Sequence, residues 1–298
     1  MRTARRSATA VILAVVIVLA LLIALAVDLL HKEPVDPHEG QVYINDGFDM
    51  VWITPLEGVD VNDLDRAELR LVNGVPQYTG SSYRTLRGVD VSEHQWGVDW
   101  QKVAASGVDY AMIRIGYRGY TEGGLFEDPH YRNNIEGVLA AGMDAGVYFF
   151  SQAVTAAEAV EEAEYVIGLL EGYEVTMPVV FDWEHIESAD GAAARTDGLD
   201  GVTLTDCALA FCQTVTNAGY DAGVYFNRHF GYYEYDLSRL TAYTFWLAQP
   251  GEYPDFYYKS EMWQYSFTST VPGIEGETDM NLFFIPVATA APSPAAGQ

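Results

Sequence analysis

The sequence is 298 residues long, 49% of it apolar and 19% charged, with 42 acidic against 16 basic residues. This apolar content can bury one large core or two small ones, so the chain as a whole is not a disordered acidic polypeptide. With only three lysines and no basic cluster, nucleic acid is excluded as a partner. The only two cysteines, Cys207 and Cys212, exclude a disulfide-stapled scaffold and a cysteine-ligated zinc site, and we expect both to be core thiols.

An apolar segment near the N-terminus predicts contact with a membrane. Residues 8–27 carry no charge and are almost wholly apolar, while three arginines precede them and Asp28 follows. That asymmetry is typical of a segment inserted with its N-terminus inside, and about 20 residues can span the hydrocarbon core as a helix. We therefore expect residues 1–30 to form a cytoplasmic basic tip and a transmembrane helix. The small residues Ala24 and Ala26 leave open the alternative of a cleaved signal followed by secretion.

Either outcome exports the rest of the chain, which is strongly acidic. From residue 27 onward, 13 basic and 42 acidic residues give a net charge of −29. Residues 31–85 mix short apolar pieces with Asp, Asn, Gly and Pro, and we interpret them as an extracytoplasmic stalk without chemistry of its own. Residues 288–298 contain only Ala, Pro, Ser, Thr, Gly and Gln, which predicts a disordered tail.

Between residues 86 and 287 one pattern recurs, a helix with apolar periodicity that ends at a glycine and turns at once into a buried strand. Two copies, residues 141–149 and 218–226, share eight of nine residues. Four such junctions fall at spacings of 35, 30 and 47 residues, which match a strand-helix-strand unit with parallel strands. Glycine suits the left-handed backbone that closes a helix, and the junction glycines are Gly107, Gly142, Gly172 and Gly219.

This pattern predicts an α/β fold over residues 86–287. We expect an irregular (β/α) barrel, in which about five strand-helix units are closed by three further strands with short connections. The predicted strands are residues 88–92, 110–116, 145–151, 177–184, 222–227, 244–249, 262–266 and 280–285.

Four carboxylates stand at the ends of predicted strands, where barrel active sites lie. Asp182 and Glu184 end an apolar strand, Asp90 lies within the first strand, and Asp279 begins the last. Residues two apart on a strand face the same side, so Asp182 and Glu184 should point together into the barrel mouth while Trp183 points away. Like charges in a sheltered cleft raise one pKa, which leaves one proton donor and one anion. Glycoside hydrolysis needs that division of roles.

Aromatic and amide side chains near the same strand ends could line a sugar site. Rings suit the apolar faces of sugars, and amides can hydrogen-bond hydroxyl and acetamido groups. The sequence has no motif for a serine nucleophile, a phosphate loop or a metal-binding helix, and its six histidines are scattered, so we expect neither a metal ion nor a cofactor. The candidate substrate-binding residues are Gln95, Tyr117, Tyr148, Tyr225, Trp246, Gln249, Trp263 and Gln264.

Taken in order, these motifs resemble the family 25 glycoside hydrolases, lysozymes that cleave the bond between muramic acid and glucosamine in peptidoglycan. The resemblance covers about residues 86–287 and agrees with the irregular barrel. It implies that Glu184 is the general acid and then the base, and that Asp182 is the nucleophile or orients the substrate's own 2-acetamido group, with net retention. Asp90 and Asp279 would complete the carboxylate cluster, and Tyr148 would steady the acetamido group. The matching segments are residues 88–92 with Gln95, 110–116, 146–149, 180–184, 263–265 and 279–281.

Two other interpretations stay open from the sequence. A catalytically silent module on a stalk would bind peptidoglycan without turnover, although the intact Asp182 and Glu184 pair favours catalysis. A chitinase-like hydrolase would apply the same chemistry to another polymer, but the run of alternating acids that family 18 enzymes carry before the Glu is missing. We expect a monomer whose partners are peptidoglycan glycan strands and, through residues 8–27, the membrane. Recognition of the wall by so acidic a chain should be short-range.

Overall fold

A computed structural model of the protein describes residues 13–25, 27, 36–186, 191 and 193–287. Within the predicted anchor, residues 13–25 are helical, while most of the flanking residues and the predicted tail at 288–298 lie outside the described residues. No helix among the described residues is long and apolar enough to cross a membrane. The anchor therefore stays a prediction.

The described residues divide into two compact units, one of residues up to 42 with 52–55, and one of residues 43–51 with those from 56 onward. In the first unit the His38 and Trp52 rings stack, with their centroids 4.1 Å apart. The region predicted as a stalk contains two hairpins, β1 (Val42–Asn45) with β2 (Met50–Ile53), and β3 (Leu69–Val72) with β4 (Val75–Tyr78).

Residues 56–85 belong to the same compact unit as the residues that follow them, where the sequence pattern predicts a separate stalk. The Asn62 side-chain amide donates to the backbone carbonyls of Pro254 and Phe256 at 2.8 and 3.1 Å. The Leu56 amide donates to the Tyr258 hydroxyl at 2.8 Å. Hydrogen bonds between side chains and backbone groups therefore hold this part of the segment on residues 254–258.

Eight strands close into a barrel, as the sequence predicts. Successive neighbours from β5 through β6, β8, β9, β10 and β11 to β12 are parallel, whereas β13 lies antiparallel between β12 and β5 and completes the closure. The short β7 adds to β6. The bounds of these strands are β5 (Tyr83–Val91), β6 (Tyr110–Arg118), β7 (Leu125–Glu127), β8 (Asp144–Ser151), β9 (Val179–Trp183), β10 (Ala222–Asn227), β11 (Thr244–Ala248), β12 (Met262–Ser269) and β13 (Thr278–Pro286).

In the described part of this unit the barrel is covered by α1 (Trp100–Ala105), α2 (Tyr131–Ala140), α3 (Ala156–Leu169) and α4 (Gly201–Asn217). The side chains of Asp99, Thr155 and Asp200 accept hydrogen bonds from first-turn amides of α1, α3 and α4, which pairs donors that a helix start leaves free. All four junction glycines have φ between +72° and +95°, the left-handed backbone that the sequence predicts there.

The prediction of a fifth strand-helix unit is wrong in one respect, because no α-helix follows β10 in the described part of the chain. Between β10 and β11 the chain forms a π-helical turn, Phe230–Glu234, and a 3-10 turn, Leu237–Arg239. The π-helical backbone sits directly against an aromatic ring, since a Cβ at Gly231 would lie 2.6 Å from Phe256.

Strand alternation separates the barrel interior from the layer beneath the helices. Met112, Val180, Trp246 and Met262 pack together inside the barrel. The neighbouring Phe181 faces outward, and its ring centroid lies 5.4 Å from that of Phe211 on α4. Because Val180 precedes Asp182 on the same face of β9, the apolar interior ends where the carboxylates begin. Cys207 and Cys212 are buried free thiols on α4, as predicted.

Gly88 lets a tyrosine ring fill the barrel interior, and replacing it should destabilise the fold. A Cβ at Gly88 would lie 2.2 Å from the buried Tyr110 ring. We expect Gly88→Ala to lower the free energy of unfolding by about 1–3 kcal/mol, because ring and strand must shift to admit the methyl group. Chemical denaturation measures this change. Gly168→Ala in α3 is the control, since its Cβ would meet nothing within 4 Å and alanine favours a helix. Equal losses in both variants would contradict the interpretation.

Candidate active site

A cavity of about 240 Å³ opens at the end of the barrel where the parallel strands finish. All four predicted catalytic carboxylates line it. Because β13 runs antiparallel, its first residues reach this same end, and Asp279 pairs in register with Asp90 of β5. The lining residues are Asp90, Val91, Ser92, His94, Gln95, Arg114, Tyr148, Phe150, Asp182, Glu184, Tyr225, Trp246, Gln264 and Asp279.

The residues at the end of β9 alternate as predicted. Asp182 and Glu184 line the cavity, whereas the Trp183 ring is buried on the opposite side, with its centroid 5.7 Å from that of Phe230. The Gln152 side-chain amide donates to the Glu184 carbonyl at 3.1 Å, which holds the backbone at this strand end. Spacing along one strand therefore brings both acids into one chamber.

Gln264 holds two of the carboxylates together. Its Nε2 donates to Oδ2 of Asp90 at 3.0 Å and to Oδ2 of Asp279 at 3.1 Å. Its Oε1 accepts a hydrogen bond from the Tyr225 hydroxyl at 2.8 Å. One amide thus bridges β5 and β13 and fixes an aromatic wall of the cavity.

Asn281 makes a second link of the same kind. Its Nδ2 donates to Oδ2 of Asp90 at 2.7 Å, and its Oδ1 accepts from the Trp246 indole at 2.8 Å. The Trp246 ring in turn meets the rings of Tyr225 and Tyr148 edge to face, with centroids 4.9 and 5.9 Å apart. The position of Asp90 is therefore coupled to the rings that line the cavity.

Burial raises the pKa of all four carboxyl groups, and their mutual repulsion adds to the effect for three of them. Burial raises the pKa of Asp90 to about 6, although hydrogen bonds from Asn281 and Gln264 oppose the rise. Burial, then the charge of Asp90, raises the pKa of Asp279 to about 8 and also raises that of Glu184. Burial, then the charges of Glu184 and Asp90, raises the pKa of Asp182 well above its usual value. The cluster therefore retains protons at neutral pH.

One fully buried oxygen of the cluster has no hydrogen-bond partner among the described residues. It is Oδ1 of Asp182. A buried polar atom without a partner costs about 1–3 kcal/mol, so such atoms are rare in folded proteins. The Asp182 residue nevertheless lines the cavity, so a bound ligand can approach its carboxyl group.

Arg114 brings a positive charge to the cavity wall that the sequence pattern did not predict. Its Nε donates to Asp128 and its Nη2 to Glu93, both at 2.8 Å. The Arg114 charge opposes the rise in the pKa of Asp182. Arg114 is a charged residue inside the otherwise apolar strand at 110–116, two positions after Met112 and so on the same face. That position is the signal that could have identified it.

Five predicted substrate-binding residues line the cavity and three do not. Ser92, His94 and Phe150 line it without having been predicted, although the first two lie close to Gln95 in sequence. Among the residues that the structure describes, no group of three or more His, Cys, Asp or Glu side chains is placed to hold a metal ion. The predicted residues in the cavity are Gln95, Tyr148, Tyr225, Trp246 and Gln264.

The other three predicted residues lie outside the cavity for identifiable reasons. Trp263 is one residue out of step with Gln264, so its ring faces the outer layer, and its Nε1 donates to the Gln249 carbonyl at 2.7 Å. Gln249 turns its own amide to the backbone carbonyl of Tyr253 at 2.9 Å. The Tyr117 ring stacks on Phe126, with centroids 5.3 Å apart.

Most glycoside hydrolases use a pair of carboxyl groups, and the mouth of this barrel offers such a pair in Asp182 and Glu184. The sequence profile described as glycosyl hydrolases family 25 matches residues 89–274. The chain belongs to glycosyl hydrolases family 25 and is a glycoside hydrolase of the lysozyme class.

Known relatives agree with this assignment. The chain is 25% identical over 207 residues to Lysozyme M1 of Streptomyces globisporus, covering 66% of this chain and 67% of the relative. It is 26% identical over 200 residues to the autolytic lysozyme of Clostridium acetobutylicum, covering 66% of this chain and 56% of that one. The match therefore spans between about half and two thirds of these relatives' length.

Solved structures show the same fold. The modular autolysin LytC of Streptococcus pneumoniae matches with a TM-score of 0.60 at 23% identity, over 82% of this chain and 57% of that one. A family 25 glycosyl hydrolase of Bacillus anthracis matches with a TM-score of 0.55 at 20% identity, over 67% of this chain and 89% of that one. The barrel is thus shared at low sequence identity.

The raised pKa values should make stability fall as pH rises. Unfolded carboxyl groups titrate near pH 4, whereas Asp90 and Asp279 titrate near 6 and 8 in the folded protein. The folded state therefore binds more protons in that window, and the free energy of unfolding should decrease between about pH 4 and pH 8. Asp279→Asn should flatten this decrease by up to about 1.4 kcal/mol per pH unit, measured by denaturation at several pH values.

The matched control for this titration is Asp221→Asn, which removes an exposed carboxyl group before β10 and outside the cavity. It should keep the parental dependence on pH. A slope in Asp279→Asn equal to that of the parent protein would show that Asp279 does not carry the proton uptake assigned to it.

Proposed function

We propose that the protein is an exported peptidoglycan hydrolase that cleaves the β-1,4 bond between N-acetylmuramic acid and N-acetylglucosamine. The observation that carries this proposal is the single buried cavity that holds Asp182 and Glu184 together with Asp90 and Asp279. The family relatives are named lysozymes, and one solved structure of LytC is titled as a complex with a synthetic peptidoglycan ligand. A polymer of N-acetylated sugars suits a cavity that is lined by both carboxyl groups and aromatic rings.

Glu184 is proposed as the general acid and then the general base. Burial, then the charge of Asp90, raises its pKa, which favours the protonated form before the bond breaks. Glu184 then gives its proton to the glycosidic oxygen as the leaving sugar departs. The carboxylate so formed takes a proton from the water that completes hydrolysis.

Asp182 is proposed to orient the substrate's 2-acetamido group, with direct nucleophilic attack as the alternative. Its carboxyl group lines the cavity, and an acetamido N–H is a donor that a carboxylate can accept. That hydrogen bond would favour the anionic form of Asp182 and turn the acetamido oxygen toward the anomeric carbon. The oxygen displaces the leaving group, the N–H proton moves toward Asp182, and water then opens the cyclic intermediate. Two displacements at one carbon give net retention.

Asp90 and Tyr148 are proposed to support the charged species. Asn281 and Gln264 fix Asp90 beside the reacting centre, where a negative charge would stabilise the positive charge that develops on the sugar. Burial, then the charge of Asp90, raises the pKa of Tyr148 well above its usual value, so its hydroxyl stays a proton donor. That hydroxyl can donate to the acetamido group or to its cyclic form.

Export is proposed to depend on residues 8–27, as a single-pass anchor that leaves the catalytic domain outside the cell or as a cleaved signal. A tether would hold the enzyme near its polymer and raise the effective concentration of cleavable bonds. The net charge of −29 from residue 27 onward gives no long-range attraction to an anionic wall. We propose that a single copy of the chain is the active form.

Replacing the acid should abolish turnover while the fold persists. We expect Glu184→Gln to lower the rate of peptidoglycan cleavage by about 10²–10⁴-fold, because an amide cannot donate the required proton. Asp182→Asn should also lose activity, because the amide cannot become an anion. The measurement is release of new reducing ends from purified peptidoglycan, with mass analysis to identify the reducing-end sugar as muramic acid.

The matched control is Glu174→Gln, an exposed carboxyl group outside the cavity, which should keep parental activity. Parental activity in Glu184→Gln would overturn the proposed role. Saturable binding to insoluble peptidoglycan without turnover by the parent would favour the silent binding module. Faster release of ends from chitin than from peptidoglycan, in parallel digestions, would favour the chitinase-like hydrolase.

A further inference from the structure

Two further cavities continue from the catalytic one along the barrel mouth. A middle cavity of about 250 Å³ shares Glu184 and Tyr225 with the catalytic cavity. An outer cavity of about 200 Å³ shares Asn227, Ala248 and Pro250 with the middle one. The three cavities are therefore adjacent, and we refer to them together as a groove that starts at the catalytic carboxylates and passes over the ends of β10 and β11.

The outer wall of this groove is the turn between β1 and β2, which the sequence pattern assigned to a stalk without chemistry. Asp46 and Phe48 of this turn line the outer cavity. Oδ2 of Asp46 accepts from the Tyr233 hydroxyl at 2.9 Å, and its Oδ1 accepts from the amides of Phe48 and Asp49 at 2.9 and 2.8 Å. The turn is thus held against the π-helical segment of the barrel.

Two exposed aromatic rings lie along the groove. Phe48 is 79% exposed and lines the outer cavity, and its ring meets that of His229 edge to face with centroids 5.5 Å apart. Phe267 of β12 is 44% exposed and lines the middle cavity. Exposed rings in a groove continuous with a sugar site offer surfaces on which the apolar faces of sugars can stack.

The charges at the outer end favour sugar rings over the acidic peptides that peptidoglycan also carries. The guanidinium of Arg228 already pairs with Asp255 at 2.7 Å, and Asp255 lies within 3.5 Å of the Asn45 side-chain amide. The backbone amides of Asp49 and Phe48 lower the pKa of Asp46, which keeps it anionic. The arginine that lines the outer cavity is therefore already paired, and Asp46 would repel a stem-peptide carboxylate, whereas a neutral N-acetylglucosamine ring needs no cation there.

We propose that Phe48 and Phe267 form a distal subsite for the sugar rings of the glycan strand, and that this subsite makes the protein favour long strands over short ones. The inference rests on the proposed function and extends it. The hairpin turn lies outside residues 89–274, the range that matches the family, so this chain's own N-terminal segment supplies the Phe48 ring, whereas Phe267 lies within that range.

The test measures how cleavage depends on strand length. Glycan strands with their stem peptides removed are graded from the shortest that the full-length parent protein cleaves to long ones, and kcat/KM is determined for each. We expect kcat/KM of the parent to rise with length. In Phe48→Ala the value for long strands should fall on the order of tenfold, through a higher KM, while cleavage of the shortest strand is unchanged. Phe48→Trp should retain the preference.

Met50→Ala is the matched control, an exposed apolar residue of the same hairpin that does not line the groove. It should behave as the parent. Equal length dependence in Phe48→Ala and the parent would overturn the subsite, and so would a loss seen only on strands that keep their stem peptides. A parent protein that releases no muramic acid ends from any strand would overturn the proposed function instead.

Discussion

Four carboxyl groups share one cavity, and the charge of Asp90 makes it harder for the other three to ionise. Burial alone raises the pKa of every member of the cluster. Without compensation all four would be neutral, and no anion would be left to stabilise a developing cation. Gln264 and Asn281 oppose this by donating two hydrogen bonds to one oxygen of Asp90. The two amides thereby favour one anion among proton donors, the division of roles that cleavage of a sugar acetal requires.

The barrel topology decides which acids can meet. Parallel strands end together, so Asp182 and Glu184 reach the mouth that β5, β6 and β8 also form. Asp279 stands near the start of its strand and reaches the same mouth only because β13 is antiparallel to its neighbours. A parallel last strand would have placed that carboxyl group at the opposite end of the barrel. The change of direction at β13 is therefore part of the active site.

Local pattern was enough to predict the barrel and its acids, because strand alternation and the helix-ending glycines follow from short-range geometry. The same alternation applies to β12. Because Gln264 faces the cavity, its neighbour Trp263 must face the outer layer. Other features were not predictable in this way. A register shift between Arg114 and Gly116 changes which side chains of β6 face inward before Tyr117 is reached. No residue type at these positions indicates such a shift. The docking of Asp46 on Tyr233 joins residues 187 positions apart, which periodicity cannot show.

The net negative charge of the chain and the shape of its groove both bear on how the protein binds an anionic polymer. A strongly negative enzyme gains nothing from long-range attraction to an anionic polymer, so its affinity must come from contacts made after encounter. Stacking of sugar rings on exposed aromatic side chains supplies such contacts and depends little on ionic strength, since neither partner carries a charge. A groove that holds several consecutive sugars also adds their contributions along one strand, as linked binding sites do. Contacts along the groove therefore take the place of the long-range attraction to the polymer that a net negative chain lacks.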